Sequence, residues 1–467
     1  MASLIPVLFT LAVATSHPHS NGLRQTARIT IPPEVQLGER ADGRADSVSL
    51  VWQAPDVDAP FAVKFSQGGE MIDAPVSFKT IRVEGIEPHR VYTAVLSKLR
   101  AGTKIDYKVL AGTETLYSAS VMAPKSDRQA YHFAVFGDCG VAGVEQAEVA
   151  YQAYMTKPDM VLLTGDLVYG SGLVSQYRSN FFPYYTAEMA SPKNGAPLFD
   201  TALTVAAPGN HDILNRNLAQ SPQVLAYYYY WKQPLNGPIH TVGAPSSPTL
   251  SGPEDRQKAF LENAGPAYPC MSNYSFDYGN AHWTVLDANS YVDWSNPELR
   301  KWLADDLAKG AKKTWRFVMY HQPGFHSART HQGEKQMRLV ADIFEQGKVD
   351  VVFNGHVHNY QRSKPIQVGT KAGAVKTELA KDDWGVDSDF DGVTKTHPKG
   401  IIYVVTGAGG AGLYNPEMND HPETWKPYQA TYHSIFSFSS VEIDGKTFRL
   451  KQIDKDGKEI DSFTITK

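Results

Sequence analysis

After residue 27 the chain runs through short stretches in which apolar and polar positions alternate, at 28–31, 47–52, 61–65, 78–83, 92–96, 105–109 and 116–121, each closed by turn residues. A repeat of two is that of a strand with one face buried and the other wet. The pattern predicts an all-β sandwich over residues 25–125, with Trp52 as its core anchor. No cluster of catalytic residue types falls in this stretch, so a packing or positioning module is expected.

The pattern changes after Ala123-Pro124-Lys125-Ser126-Asp127, a polar linker. Continuous apolar runs at 133–136, 160–164 and 203–206 now alternate with helix-like stretches at 144–154 and 176–189. Further strands are expected at 283–286, 316–319, 351–353 and 401–405, and helices at 297–308 and 334–344. Residues 274–278, a Gly279-Asn280 turn and 283–286 read as a hairpin. Strands that are apolar on both faces need cover on both, so residues 130–467 predict a layered α/β-β/α domain. Tyr227-Tyr228-Tyr229-Tyr230-Trp231 interrupts a segment without clear period and reads as wall packing.

Composition narrows the function classes. At 467 residues the chain exceeds one ordinary core. A 20% charged content and a net charge of −4 argue against a nucleic-acid or polybasic membrane role. Residues 1–23 carry no Asp, Glu, Lys or Arg, and the apolar run 4–14 closes on Ala12-Val13-Ala14, a small-x-small pattern. This predicts a secretory signal over 1–20 and a secreted or periplasmic location. No later run approaches the ~20 apolar residues of a spanning helix. The two cysteines, Cys139 and Cys270, do not indicate a disulfide framework. Asp387-Ser388-Asp389-Phe390-Asp391-Gly392 begins like a calcium loop, but its twelfth position is Pro398 rather than a glutamate.

Five short motifs stand at or just beyond the ends of expected strands: Gly137-Asp138-Cys139-Gly140, Gly165-Asp166-Leu167-Val168-Tyr169, Gly209-Asn210-His211-Asp212, Val318-Met319-Tyr320-His321 and Gly355-His356-Val357-His358. The carboxyl ends of strands in open α/β sheets are where ligands gather, because the loops there can aim side chains at one point. Singly, such an Asp is commonly a helix cap and such a His a hydrogen-bonded core residue. Together they point to a two-metal site. Asp166 has two oxygens with which to bridge two cations, and the phenol of Tyr169 can reach one of them from the same loop.

On these motifs the chain resembles the metallophosphoesterase superfamily and, within it, the purple acid phosphatases, from Tyr131 to the C-terminus. The sandwich resembles the fibronectin type III module of their two-domain members: Leu99-Arg100-Ala101-Gly102-Thr103 followed by Tyr107-Lys108-Val109 fits that pattern, and Ile105 departs from it. Most metallophosphoesterases read Asp-x-His in the first motif. Here Asp138-Cys139-Gly140 lacks that histidine and Tyr169 takes its place, as in the purple enzymes. The resemblance implies Fe(III) on Asp138, Tyr169 and His358, a divalent ion (Fe, Zn or Mn) on Asn210, His321 and His356, and Asp166 as the bridge. It implies an acid phosphatase in which a metal-bound hydroxide attacks small phosphate monoesters, with a phosphodiesterase or a non-catalytic binding protein as the alternatives. His211 and His331 match positions that contact phosphate and assist the leaving group. Thr330 stands where relatives often have a second histidine, which leaves His326 as another candidate for the acid.

Overall fold

The strands Met160–Leu163, Leu203–Ala206, Val351–Asn354 and Ile402–Thr406 are buried along their whole length, as continuous apolar runs require. They belong to a computed structural model that describes residues 27–40, 46–238, 247–369 and 384–467. The expected signal at 1–20 lies outside the described residues.

Side chains alternate between two apolar environments along each of these strands. Phe133, Val135, Met160, Leu162, Leu203 and Val205 join Trp283, Phe317, Phe353 and Val404 in a central cluster. Ala134, Phe136, Val161, Leu163 and Ala206 face a second cluster that includes Val149 and Ala153 of helix Val144–Met155 and the turn Tyr227–Tyr230. Val318, Tyr320, Val352 and Tyr403 face a third, under helices Pro297–Lys309 and Ala341–Gln346. The result is four layers, helix on sheet on sheet on helix, and the tyrosine-rich segment is indeed wall packing.

One sheet has ten strands in the order Glu459–Thr466, Thr447–Asp454, Ser437–Asp444, Tyr131–Phe136, Met160–Leu163, Leu203–Ala206, Ile31–Gln36, Val48–Pro55, His89–Leu96 and Val76–Ile81. The facing sheet has seven: Tyr274–Tyr278, Ala281–Leu286, Trp315–Tyr320, Val351–Asn354, Ile402–Thr406, Tyr360–Ser363 and Gln429–His433. Tyr131–Phe136, Met160–Leu163 and Leu203–Ala206 run parallel in the first, and Ala281–Leu286, Trp315–Tyr320, Val351–Asn354 and Ile402–Thr406 run parallel in the second. Their carboxyl ends meet where the Gly137 amide donates to the Thr406 carbonyl at 3.1 Å, stitching the two sheets together. The expected hairpin forms, with Phe276 opposite Trp283.

The N-terminal β-sandwich is fused to these layers. Its strand Ile31–Gln36 pairs antiparallel with Val48–Pro55 and, on its other side, parallel with Leu203–Ala206, with Gln36 opposite Thr204. Four strands of the ten therefore form one half of the sandwich, and Glu70–Ala74, Phe61–Gln67, Lys104–Ala111 and Glu114–Met122 form the other. Trp52 is buried in the core between them, stacked on Tyr92 at 5.2 Å.

Three expected elements differ. The strand placed at 28–31 instead runs Ile31–Gln36 through Pro32 and Pro33, and its register slips between Ile31 and Glu34 because prolines have no N–H for the ladder. The helix placed at 176–189 is a series of short helical turns from Val174 to Tyr185, broken before Pro183. Its expected end is a strand, Thr186–Ser191, paired with Gly195–Pro197, because the intervening Pro192-Lys193-Asn194 and the left-handed Gly195 (φ 85°) impose a hairpin turn. The helix placed at 334–344 is a 3₁₀ turn, Gln336–Val340, followed by Ala341–Gln346. Glu334 thus stays in the preceding loop.

Candidate metal centre

All five motifs arrive at the seam between the two sheets. Asp138, Asp166 and His356 hold φ values of 58°, 50° and 67°, in the left-handed region. Non-glycine residues there cost of order 1–3 kcal/mol each and persist only where the surroundings fix them. Here the Asp138 amide donates to the Gly165 carbonyl at 3.0 Å. The His356 amide donates to both carboxylate oxygens of Asp138, at 3.0 and 2.8 Å. Adjacent glycines leave the room: a Cβ on Gly355 would come within 2.5 Å of Asp138 Oδ2, and one on Gly209 would collide with the Asp166 carboxylate.

Two groups of donors face one another. In the first, the Tyr169 hydroxyl donates to Asp138 Oδ1 at 3.1 Å and lies 2.8 Å from His358 Nε2. His358 Nδ1 donates to the Gly412 carbonyl at 2.7 Å, and its ring stacks on Tyr414 at 4.0 Å. In the second, His321 Nε2 lies 3.1 Å from both Asp166 Oδ2 and Asn210 Oδ1, while Nδ1 donates to the Thr164 carbonyl at 2.8 Å. His321 Nε2 is 3.9 Å from Asp138 Oδ1, which joins the groups. Ligand atoms of His356, Asp166 and His321 lie within 4.8 Å of one another. The structure thus brings together all seven side chains singled out as ligands.

Charge in this pocket is carried by the protein itself. Burial opposes a charge on His321, but Asp166 and Asp138 outweigh it and raise its pKa to about 9. Burial likewise opposes a charge on Asp166, and His321 holds that carboxyl well below its usual range. Burial, with Asp138 and Asp166 beside it, keeps the Tyr169 phenol protonated far above its ordinary pKa. Only a strongly charged cation would displace that proton. The donors suit such a cation: carboxylates, a phenol, an amide oxygen and three imidazoles, of which His321 and His358 have Nδ1 tied to a backbone carbonyl so that Nε2 faces inward.

The three candidate catalytic histidines fare differently. His211 sits at the mouth with its ring 4.6 Å from that of Tyr169, its amide donating to Asp166 Oδ1 at 2.8 Å. The His331 ring lies 4.0 Å from that of His356, tilted at 44° to it. His326 is buried, its Nδ1 has no hydrogen-bond partner among the described residues, and burial drives its pKa down to about 3. It is a neutral imidazole behind the site rather than at its opening.

Sequence reasoning missed three neighbours. Asp212 is buried, accepts from the Gly209 and Leu167 amides at 2.8 and 3.1 Å, and has its pKa raised by burial with Asp166 beside it. Its signal was its place in the third motif, where it caps the turn Asn210–Ile213. Glu334 accepts from His331 Nδ1 at 2.7 Å and from His356 Nε2 at 2.9 Å. Its only signal is a spacing of three residues from His331. Tyr414 had none. The Asp387–Asp391 loop lies outside this constellation, with Asp391 Oδ1 accepting from the amides of Val393, Thr394 and Lys395.

Residues 131–360 match the family model described as calcineurin-like phosphoesterase. They form a calcineurin-like phosphoesterase domain. Beyond it, the chain is similar to purple acid phosphatase 23 of Arabidopsis thaliana, 27% identical over 309 residues that cover 61% of this chain and 57% of the relative. It is also similar to probable inactive purple acid phosphatase 1 of the same plant, 23% identical over 82% of this chain and 58% of the relative. The matches thus span little more than half the length of these relatives. Among solved structures, purple acid phosphatase PPD1 from yellow lupin (Lupinus luteus) seeds shares the fold at a TM-score of 0.65, with 20% identity over 93% of this chain and 74% of that one. The phosphoesterase domain is of a metal-dependent family, and its strand ends carry the clustered donors described above. No helix among the described residues is long and apolar enough to cross a membrane.

Proposed function

We propose that the chain is an exported acid phosphatase of the purple type, acting on small phosphate monoesters at a binuclear centre of Fe(III) and a divalent ion, Fe, Zn or Mn. The observation that carries this reading is the Tyr169 hydroxyl, set between Asp138 Oδ1 and His358 Nε2 at 3.1 and 2.8 Å. A phenolate donor favours a hard, highly charged ion. Asp138, Tyr169 and His358 would hold the ferric ion, Asn210, His321 and His356 the divalent ion, with Asp166 shared. When bound, the pair supplies the positive charge that draws in a phosphate group and the acidity that makes water a nucleophile.

The remaining work falls to side chains at the mouth. His211 Nδ1 donates to the Gly170 carbonyl at 3.2 Å, which leaves Nε2 to meet a phosphoryl oxygen. His331 Nδ1 donates to Glu334, which leaves its Nε2 to protonate the leaving oxygen. Such general-acid help contributes roughly 10²–10⁴-fold. His331 is preferred to His326 because it is partly exposed and His326 is not.

Metal analysis of the purified chain, with rates on p-nitrophenyl phosphate and its bis ester, tests the proposal. Two metals per chain, one of them iron, and preference for the monoester at acid pH are expected. Preference for the bis ester would make the chain a diesterase, and absence of both iron and hydrolysis would leave a binding protein on a phosphoesterase fold.

A further inference from the structure

His356 belongs to two sets of donors at once. One is the inner set with Asp166 and His321, and the other is an outer set with His331 and Glu334 whose ligand atoms also lie within 4.8 Å of one another. The two sets differ in depth. Side-chain exposure falls from 42% at Glu334 and 28% at His331, through 7% at His356, to 2% at Asp166 and 0% at His321. Glu334 reaches both outer imidazoles with separate oxygens, 2.7 Å to His331 Nδ1 and 2.9 Å to His356 Nε2. The His356 ring lies 4.0 Å from that of His331 on one side and 5.0 Å from that of His321 on the other.

We propose that His331, Glu334 and His356 form an entry site for a divalent cation, an outer position through which the ion passes to the inner one. The inference rests on the metal-dependent reading above. One carboxylate and two imidazoles are donors that zinc, ferrous iron and manganese all accept. Entry replaces the two hydrogen bonds that His331 and His356 make to Glu334 with bonds to the metal, each imidazole binding as a neutral ring that keeps its one proton on the other nitrogen. Moving inward then exchanges Glu334 and His331 for Asp166 and His321 while His356 stays bound, so the ion is never stripped of protein ligands. No electron transfer is involved. Glu334 is the only carboxylate of the outer set, which makes it the group that draws a cation from solvent.

The test uses the full chain loaded with zinc and then exposed to a second zinc isotope, with exchange of the bound ion followed by mass spectrometry. Both Glu334→Gln and Glu334→Ala should slow exchange about tenfold or more, the scale on which charged clefts raise association rates. Capture and release should slow together, so that equilibrium zinc occupancy is unchanged, which also reports that the inner position is intact. Exchange at the wild-type rate, or faster, in both variants would overturn the entry site. So would a loss of equilibrium occupancy that tracks the slower exchange, because Glu334 would then be a ligand of the resting centre. A wild-type chain that takes up none of zinc, ferrous iron and manganese would overturn the metal-dependent reading itself and the entry site with it.

Discussion

Raising the pH should loosen one identifiable clamp. His282 lies in Ala281–Leu286, 4% exposed, with Nδ1 2.8 Å from Asp277 Oδ1 on the paired strand and Nε2 3.2 Å from Asp306 Oδ2 on helix Pro297–Lys309. Asp306 also accepts from Ser275 Oγ at 2.6 Å and Thr284 Oγ1 at 2.9 Å, so the imidazole ties the helix to the hairpin through a carboxylate that is already held. Burial alone would lower the pKa of His282, but the hydrogen bonds and charges of Asp277 and Asp306 raise it from 6.5 to about 9. A group bound more tightly to its proton in the folded state stabilises that state fully below its unfolded pKa, and the contribution fades as pH rises through the folded pKa. A proton held to about pH 9 in the folded state and to 6.5 in the unfolded one is worth about 3 kcal/mol, present at pH 6 and gone by about pH 10. Other buried acids, Glu34 among them at about 8, titrate in the same window. The measurement is therefore a difference between wild type and His282→Gln in urea unfolding, followed by tryptophan fluorescence at pH 6 and pH 10. Wild type should lose about 3 kcal/mol more than the variant between those points. Parallel losses would show that His282 is not held as an imidazolium, and the clamp would have to be neutral.

The metal-centre assignments make their own demands. Tyr169→Phe should abolish a visible tyrosinate-to-iron band in the loaded protein, and an unchanged spectrum would remove Tyr169 from the site. His331→Ala should slow esters with poor leaving groups up to about 10²–10⁴-fold and p-nitrophenyl phosphate much less, whereas equal slowing would reassign His331 to phosphate binding. Gly209→Ala drives a methyl group into Asp166 and should cost about 1–3 kcal/mol of stability, read by urea unfolding, together with lost metal occupancy. Retention of both would show that the loop yields freely.

Much of this was legible because the chain keeps its chemistry close to its pattern. Asp138 and Asp166 follow within three residues of Phe136 and Leu163, and His321 and His356 within two of Tyr320 and Asn354, so a buried run announces each of them. Glu334 is different. It reaches His356 from a loop between Trp315–Tyr320 and the 3₁₀ turn Gln336–Val340, and no periodicity governs where a loop residue points. The hairpin was readable because its partners are neighbours in sequence. The pairing of Ile31–Gln36 with Leu203–Ala206 was not, since parallel strands need no local turn to announce them. The antiparallel pairing of Ser437–Asp444 with Tyr131–Phe136 joins segments some three hundred residues apart, and nothing near either one announces it.

That parallel pairing makes the two halves of the chain hard to part. Leu203–Ala206 leads within four residues to Asn210, and its outer flank is met at Thr204 by Gln36, from a strand made more than a hundred residues earlier. A nick at the polar linker near residue 125 should therefore leave two fragments that still travel together, because separation would bare a raw sheet margin beside the metal centre. The amino-terminal module is in this sense a splint set against the strand that delivers Asn210, and trimming it away should be felt at the chemistry first.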